Sequence, residues 1–348
     1  MMKLLRLHLL LMVFLTVLAF SEDDNAPVPD ASDTFTNPVL TTGPDPWVIQ
    51  KDGWYYVTHT TGKDIRLYRT KKMSNLRNAE VKIAWVPPAA GMNSKQIWAP
   101  EIHFLNGKWY FYYAADDGVN ENHRLWVLEN DSADPFLGTW ADRGELELQD
   151  DKWAIDGTVL EHKGALYFLW SGWEGDVNVR QVIYISRMAG PTAAEGARVL
   201  ISKPQFSWEK NGGAPEINEA PQILKKAEKI FVIYSASGCW TDEYVLGMLS
   251  ASVDSDLLDP ASWEKHREPV FEKNIAGHAF GPGHNSFFTS PDGTEDWILY
   301  HANPQPAQGC GANRSPRMQK FSWTADGLPD FGEPAALGLQ MDPPSGEK

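Results

Sequence analysis

One pattern constrains the fold of this chain more than any other: a short segment that begins with a polar residue recurs five times. In the middle copy, WAIDGTVLEHKGALYFLW (153–170), two apolar runs rich in branched and aromatic residues flank the turn HKG. Runs this short, split by a glycine-containing turn, predict the two strands of a β-hairpin. The other copies begin at Asp45 (DPWVIQKDGWYYVTHT), Glu101 (EIHFLNGKWYFYYA), Glu219 (EAPQILKKAEKIFVIYSA) and His284 (HNSFFTSPDGTEDWILYHA).

The spacing of the copies predicts the architecture. Their leading polar residues follow one another at intervals of 55 to 65 residues, and they are Asp45, Glu101, Asp156, Glu219 and His284. A unit of this length, built of strands without intervening helices, is typical of a β-propeller blade. We therefore predict an all-β, single-domain, five-bladed β-propeller. Because the innermost strand of every blade lines the central channel, the five polar residues should converge near the axis.

The ends of the chain differ from the repeat. Residues 1–20 carry Lys3 and Arg6 ahead of an apolar run, which predicts a secretory signal peptide, although a short membrane anchor is the alternative. Residues 21–33 read as a flexible leader, 34–334 as the propeller and 335–348 as a C-terminal tail. FTNPVL (35–40) is a candidate strand, predicted to pair with the last blade and close the ring. Export predicts a secreted or periplasmic protein.

Composition narrows the class of partner. The formal net charge is −15, which argues against nucleic-acid and anionic-membrane partners and suits a neutral substrate. Fifteen Trp, fifteen Phe and eleven Tyr suit aromatic blade cores and sugar stacking. We expect a monomer that binds a carbohydrate. The two cysteines, Cys239 and Cys310, follow the aromatic strands of neighbouring blades, so they either form a disulfide or remain two buried thiols.

Several carboxylates at equivalent blade positions predict acid–base chemistry. Burying them together is costly, because like charges repel and desolvation disfavours each ionised form. Hydrolysis of a glycosidic bond needs such a set: one carboxylic acid protonates the leaving oxygen, and a second carboxylate activates water from the opposite face. A third can raise the pKa of the acid by repulsion.

The chain resembles the family 43 glycoside hydrolases, five-bladed propeller enzymes that act on arabinofuranosides and xylosides. The resemblance spans nearly the whole chain after the leader and is carried by DPWV, WAPEI, IDGTV, NEAPQIL and GPGHNSFF. It implies that Asp45 is the general base, Glu219 the general acid, and Asp156 the residue that tunes the pKa and orientation of the acid. It also implies that His284 holds a water or a cation such as calcium near the axis. We expect no required cofactor, since one His does not make a calcium site.

Further residues are candidates for binding the sugar. Trp98 is expected at the sugar site, with a core position as the alternative. The resemblance implies that Arg317 reaches the terminal sugar or a catalytic carboxylate, with a surface position as the alternative. Phe280 could rim the pocket beside His284, and Glu101 is assigned a structural role. Two further tryptophans, Trp173 and Trp240, follow aromatic strands and suit either sugar stacking or blade packing.

The resemblance thus predicts an inverting enzyme that removes terminal α-L-arabinofuranosyl residues from plant cell-wall polysaccharide or oligosaccharide. Inversion predicts a separation of about 6.5–9.5 Å between the carboxyl groups of Asp45 and Glu219.

A β-xylosidase, an endo-arabinanase and a galactanase are alternatives on the same fold. A non-catalytic sugar-binding propeller is the alternative from another class, although it would not need three converging carboxylates. The Trp-Met-Asn-Asp-Pro-Asn signature of fructoside-cleaving propellers is absent.

Overall fold

All five predicted hairpins are present, and each forms the inner pair of strands of a four-stranded antiparallel blade. The computed structural model describes residues 34–347. Blade one contains β1 (Trp47–Lys51), β2 (Trp54–Thr58), β3 (Ile65–Thr70) and β4 (Glu80–Trp85). Blade two contains β5 (Lys95–Leu105), β6 (Lys108–Asp116), β7 (Arg124–Asn130) and β8 (Ala141–Glu145). Blade three contains β9 (Ala154–His162), β10 (Ala165–Trp173), β11 (Arg180–Gly190) and β12 (Ala193–Ser202).

The last two blades follow the same order. Blade four contains β13 (Glu216–Lys226), β14 (Lys229–Ala236), β15 (Val245–Ser252) and β16 (Glu264–Lys265). Blade five contains β17 (Phe280–Thr289), β18 (Asp296–Asn303), β19 (Ser315–Trp323) and β20 (Pro329–Asp330). Short 3₁₀ turns lie between strands at Met73–Asn78, Asn120–Asn122, Ser207–Glu209 and Pro260–Ser262. The five-bladed all-β prediction is confirmed.

The hairpin turns explain why the inner strands pair in register. In blades one, two and three the strands are joined by two residues, namely Asp52–Gly53, Asn106–Gly107 and Lys163–Gly164. All six residues have a positive φ. Two-residue turns of this kind match the twist of the strands, and glycine adopts the second position without steric cost.

The hydrophobic core is divided into five clusters, each between two neighbouring blades. Between blades two and three, for example, Tyr112 and Leu125 pack with Phe168 and Val182. The cluster between the last and first blades contains Leu299 and Met318 of blade five together with Val48 and Tyr55 of blade one. Apolar packing therefore continues around the whole circle, which holds the inner strands around one axis.

The N-terminal segment lies beside blade five, but it is not the regular strand that was predicted. Phe35 forms a single bridge to Met341, and the Asn37 side chain donates to and accepts from the backbone of Met318. The Val39 N–H donates to the Pro316 carbonyl. Because Pro38 has no N–H, a continuous ladder cannot form, and the Asn37 amide takes over part of the pairing.

The C-terminal residues also contact the blades. The Leu337 N–H donates to the Gly277 carbonyl, and the Glu347 carboxylate accepts from the Met73 N–H. The predicted signal peptide (1–20) and leader (21–33) lie outside the described residues. Within residues 34–347, no helix is long and apolar enough to cross a membrane.

Candidate active site

The inner strands are irregular where they reach one end of the channel. Pairing registers shift beside Asp156 in β9, after Glu219 in β13 and around Gly283 in β17, which marks β-bulges. Asp156 and His284 lie at these bulges with φ of 54° and 44°, and Asp45 just before β1 has φ of 56°. Left-handed backbone at a non-glycine residue costs on the order of 1 kcal/mol, and bulges re-aim side chains beside functional sites. The local distortion thus turns three polar side chains toward the axis.

The same backbone feature corrects the predicted equivalence of the five polar residues. The inner strand of blade two is left-handed at Gln96 (φ 49°) and Ala99 (φ 40°) and that of blade four at Ala220 (φ 51°), not at Glu101 and Glu219. Glu219 therefore lies one position before Ala220, whereas Glu101 lies two positions after Ala99. Alignment of the leading polar residues missed these offsets, because the Ala-Pro pair found at both bulges also occurs in the loop at 214–215 and does not by itself specify a bulge.

Glu101 is outside the cavity that the other polar residues line. It is 2% exposed, and its carboxylate accepts from Gln222 and contacts His103 Nε2 at 3.0 Å. Burial raises its pKa, although hydrogen bonds from His103 and Gln222 oppose the shift. These contacts connect blade two to blade four across the channel and fit the structural role expected for Glu101.

Asp45, Asp156, Glu219 and His284 line one cavity of about 330 Å³. Asp45, Asp156 and His284 are each less than 9% exposed. Trp98 and Arg314 line the same cavity. The convergence of three carboxyl groups from blades one, three and four is the arrangement that the repeat predicted.

Asp45 is surrounded by nitrogen donors. Its Oδ1 lies 2.7 Å from Arg314 Nη1 and 3.3 Å from His284 Nδ1. Its N–H donates to His301 Nδ1 at 3.0 Å, so that nitrogen is an acceptor and His301 is neutral. Burial by itself would raise the pKa of Asp45, but opposing interactions, of which Arg314 provides the largest, hold the pKa below the ordinary value. Because burial lowers the pKa of His284 to about 4, Arg314 is the permanent cation at this carboxylate.

The pKa values of Glu219 and Asp156 are shifted upward, in the opposite direction to that of Asp45. Burial raises the pKa of Glu219 to about 7, repulsion from Asp45 adds to the effect, and the hydrogen bond from Tyr244 opposes it. The Tyr244 hydroxyl donates to Glu219 Oε1 at 2.7 Å. Burial and repulsion from Glu219 likewise raise the pKa of Asp156, whose Oδ2 accepts from the Ala220 N–H. The two groups titrate together, so the pair retains a proton at a pH where Asp45 is ionised.

The prediction for Arg317 is wrong in position. Arg317 is fully buried inside β19, and its guanidinium donates to the carbonyls of His278 and Asn303. Arg314, three residues earlier and just before β19 begins, is the arginine that contacts Asp45. The two arginines of NRSPR cannot be distinguished by composition, and only the point at which the strand starts places one in the cavity and the other in the core.

Phe280 also departs from its prediction. Its side chain is 7% exposed and does not line the cavity, so it is part of the packing at the start of β17. Tyr244 and His301 were missed by sequence reasoning. Their rings stack on each other with 5.8 Å between centroids, and each contacts one of the carboxyl residues. Tyr244 lies just before β15 and His301 lies within β18, and no sequence motif distinguishes them from core aromatic residues.

The tryptophans are divided between the cavity and the core. Trp98 lines the cavity and stacks on His123 with 4.1 Å between ring centroids. Trp173 is buried and stacks on Trp153, so its role is packing. Trp240 is 44% exposed at the cavity rim. Trp173 therefore takes the packing alternative, and sugar stacking by Trp240 stays a prediction.

Cys239 and Cys310 form a disulfide that lies in the cavity wall. It joins the loop after β14 to the loop that ends at Arg314 just before β19. Blades four and five are thereby linked at the rim of the cavity.

The residues of the cavity fit poorly with a protein-ligated metal. Among the described residues, no three His, Cys, Asp or Glu side chains are arranged to hold an ion. Calcium prefers six to eight oxygen ligands, whereas His284 offers nitrogen and its Nδ1 faces Asp45. Calcium on the axis stays a prediction.

Comparison with known proteins assigns this geometry to a family. Residues 35–329 match the model of "Glycosyl hydrolases family 43". The chain is 37% identical to the extracellular exo-α-(1→5)-L-arabinofuranosidase of Streptomyces avermitilis, over 96% of this chain and 71% of that protein. It is 35% identical to α-L-arabinofuranosidase 43 of Humicola insolens, over 87% and 64% of the two chains. The crystal structure of α-L-arabinofuranosidase from Lactobacillus brevis superposes with a TM-score of 0.83 at 34% identity, covering 89% of this chain and 99% of the other.

Proposed function

We propose that this chain, which belongs to glycosyl hydrolases family 43, is an inverting exo-acting α-L-arabinofuranosidase that removes terminal arabinofuranosyl residues from arabinose-containing glycans. Membership of the family makes the chain a glycoside hydrolase acting on O-glycosyl bonds. The choice of sugar is supported by the names of the relatives, since the Streptomyces, Humicola and Lactobacillus proteins are all called arabinofuranosidases.

The observation that carries the proposal is that the pKa values of Asp45 and Glu219, which line the same cavity, are shifted in opposite directions. Asp45 is held ionised beside Arg314, as a general base must be. Glu219 has a pKa of about 7, so it is still largely protonated at mildly acidic pH, as a general acid must be. The sequence-based assignment of base and acid therefore agrees with the environments of the two groups.

The proposed reaction is a single displacement. Asp45 accepts a proton from a water molecule while that water's oxygen bonds to the anomeric carbon. The bond from that carbon to the glycosidic oxygen breaks, and Glu219 donates its proton to the departing oxygen. Asp156 accepts from the Ala220 N–H beside Glu219, so it orients the acid's strand, and its mutual repulsion with Glu219 favours a proton on the pair. The excess proton leaves Asp45 to solvent and Glu219 is reprotonated before the next turnover.

A substrate panel tests the sugar and the mode of attack. The wild-type protein is incubated with linear arabinotriose, arabinan, arabinoxylan, galactan and 4-nitrophenyl β-D-xyloside. We expect L-arabinose as the first product and no intermediate oligosaccharides. Release of xylose alone, or of arabino-oligosaccharides without arabinose, would overturn the assignment. Glu219→Gln should lower kcat on arabinotriose by about 10²–10⁴, whereas the exposed control Glu228→Gln should not change it.

We also propose export of the protein, with residues 34–334 as the catalytic domain, and a monomeric state. Export is supported by the basic and apolar N-terminal residues and by the printed description of two Streptomyces relatives as extracellular. N-terminal sequencing of protein recovered outside the producing cells should begin after residue 20. Recovery only from the cells, with Met1 retained, would contradict export, and a dimer by light scattering would contradict the monomer.

A further inference from the structure

Trp240 is the side chain that the proposed mechanism leaves without a role. It follows β14 on the loop at the cavity rim, and 44% of its surface is exposed. It is the one tryptophan among the strongly exposed large hydrophobic residues of the described chain. An indole left open to solvent at the mouth of a cavity loses hydrophobic stabilisation, and it is well suited to cover the apolar face of a sugar ring.

The indole is held rigidly by its neighbours. A Cβ atom added at Gly238 would lie 2.3 Å from Trp240 Cε2, and one added at Gly212 would lie 2.7 Å from Trp240 Nε1. Trp240 Nε1 also donates to the Gly212 carbonyl at 3.3 Å. The ring thus lies directly against two glycine backbones, where an added Cβ atom would clash with it, and Trp240 lines the cavity. A fixed platform loses less conformational freedom when a ligand binds than a mobile side chain does.

The loop beneath the indole is fixed as well. Cys239, the adjacent residue, is bonded to Cys310 of the blade-five loop. The Ala307 N–H of that loop donates to Asp242 Oδ1 at 2.8 Å, two residues beyond Trp240. One disulfide and one hydrogen bond across the blade boundary therefore hold the Trp240 loop in a fixed position relative to the carboxyl groups.

The position of the proposed acid decides which part of a substrate Trp240 faces. Glu219 on β13 is paired with Ser235 on β14, and the chain continues from Ser235 directly to the Trp240 loop. The general acid lies on the side of the departing oxygen. Trp98 approaches the cavity from blade two instead, and the base Asp45 from blade one. Trp240 therefore belongs to the side of the cavity from which the leaving group departs.

We propose that Trp240 is the platform of a leaving-group subsite, on which the second arabinosyl unit of an arabino-oligosaccharide stacks. The inference rests on the proposed function, because it takes Glu219 as the acid. It adds a specificity determinant for the leaving group to a site otherwise described only by its reacting carboxyl groups.

The experiment compares two substrates with the same scissile bond chemistry and different leaving groups. Arabinotriose places a sugar in the proposed subsite, whereas methyl α-L-arabinofuranoside releases only methanol. For Trp240→Ala we expect kcat/KM on arabinotriose to fall about tenfold, while kcat/KM on the methyl glycoside and inhibition by free L-arabinose stay within about twofold. Trp240→Phe should recover much of the loss on arabinotriose. Leu137→Ala, which shortens an exposed apolar side chain away from the cavity, is the control.

Three outcomes would overturn the inference: no loss on arabinotriose, an equal loss on both substrates, or a Phe variant as impaired as the Ala variant. An equal loss would mean that Trp240 only supports the loop and disulfide. If Trp240→Ala fails to fold, Trp240→Leu takes its place, with the melting temperature as the check. A wild-type protein that cleaves neither substrate would instead refute the proposed function, so the two failures are distinguishable.

Discussion

At the scale of single residues, the active site depends on two carboxyl groups that are driven in opposite directions by their neighbours. Asp45 is buried and Glu219 is partly buried, and the loss of water by itself raises the pKa of each. The pKa of Asp45 is low nevertheless, because Arg314 Nη1 lies 2.7 Å from its carboxylate. Glu219 receives a hydrogen bond from the Tyr244 hydroxyl instead. Arg314 also lowers the pKa of Glu219, but direct contact with the guanidinium, which the structure gives only to Asp45, separates the proposed base from the proposed acid.

Arg314 provides the first test at this scale. The base acts when ionised, so kcat/KM falls as the pH drops through its pKa. In Arg314→Met, burial of Asp45 is no longer opposed by the cation, and the acidic limb of the pH profile should move to higher pH. We expect activity at pH 4–5 to fall more than activity at pH 6, measured as kcat/KM on arabinotriose.

Arg317 is the matched control for that experiment. It is buried in blade five without contact to Asp45, so Arg317→Met should lower the melting temperature while leaving the acidic limb in place. An Arg314 variant with an unshifted limb, or an Arg317 variant with a shifted one, would contradict the assignment.

The raised pKa of Glu219 predicts a cost in stability that depends on pH. The folded protein keeps the proton up to about pH 7, whereas the unfolded chain loses it near the ordinary value of about 4.3. Stability is therefore unaffected at low pH, falls as the pH rises between these values, and is lowest above 7. Glu219→Gln should raise the free energy of unfolding by about 2 kcal/mol at pH 8 and by much less at pH 5.

Melting temperatures of the wild type, Glu219→Gln and the exposed control Glu228→Gln at the two pH values measure this difference. A gain in Glu219→Gln that is equal at pH 5 and pH 8 would show that Glu219 titrates normally.

Sequence reasoning reached the carboxyl residues because they recur, and it missed residues that do not. Asp45, Asp156 and Glu219 lead repeated hairpins, so their convergence could be predicted. Arg314 and Tyr244 do not belong to the repeat: Arg314 contacts Asp45 across a blade boundary and Tyr244 contacts Glu219 within blade four, and spacing along the chain reveals neither contact. Arg317 was chosen in place of Arg314 because both lie close to the start of β19, and strand boundaries are the least predictable feature of a sequence.

At the scale of elements, the inner strand with its bulge is the unit that places a reactive group. Gly157 follows Asp156 in β9, and a Cβ there would lie 2.3 Å from Phe168 Cζ and 3.0 Å from Leu125 Cδ2. The bulge can bring Asp156 to the cavity only because the next residue has no side chain and lets blades two and three pack closely.

Gly157→Ala should therefore lower the free energy of unfolding by about 1–3 kcal/mol through overpacking and reduce kcat on arabinotriose, because β9 must shift. Gly190 in the same blade has open space around its Cβ position and no positive φ, so Gly190→Ala is the control and should behave as the wild type. Equal melting temperatures and kcat values for the two variants would show that close packing at Gly157 is not required.

Hairpins were predictable and bulges were not, for a physical reason. Dipeptides such as Asp52–Gly53 and Asn106–Gly107 specify a tight turn and the pairing of the strands beside it. The bulges at Ala99 and Ala220 each lie directly before a proline, but the same Ala-Pro pair at 214–215 lies in a loop, so the pair alone does not specify a bulge. Glu101 was consequently aligned with residues that lie at another level of the channel.

At the scale of the whole molecule, the five apolar clusters between blades make the cavity a property of the closed ring. The cluster of Leu299 and Met318 with Val48 and Tyr55 joins the last blade to the first. Asn37 and Met341 strengthen that junction from the two ends of the described chain. Asp45 and Arg314, which lie 269 positions apart, meet only because the ring closes there.

The measurement that tests the central claim most directly is the anomeric configuration of the first product. The claim is that carboxyl groups from blades one, three and four act together on one bond in a single displacement. Wild-type protein is mixed with arabinotriose, and proton NMR spectra are recorded before the released sugar equilibrates. We expect β-L-arabinofuranose to appear first, with no such signal from Asp45→Asn or Glu219→Gln. Initial appearance of the α-anomer would contradict it, because retention requires a covalent intermediate rather than water activated by Asp45.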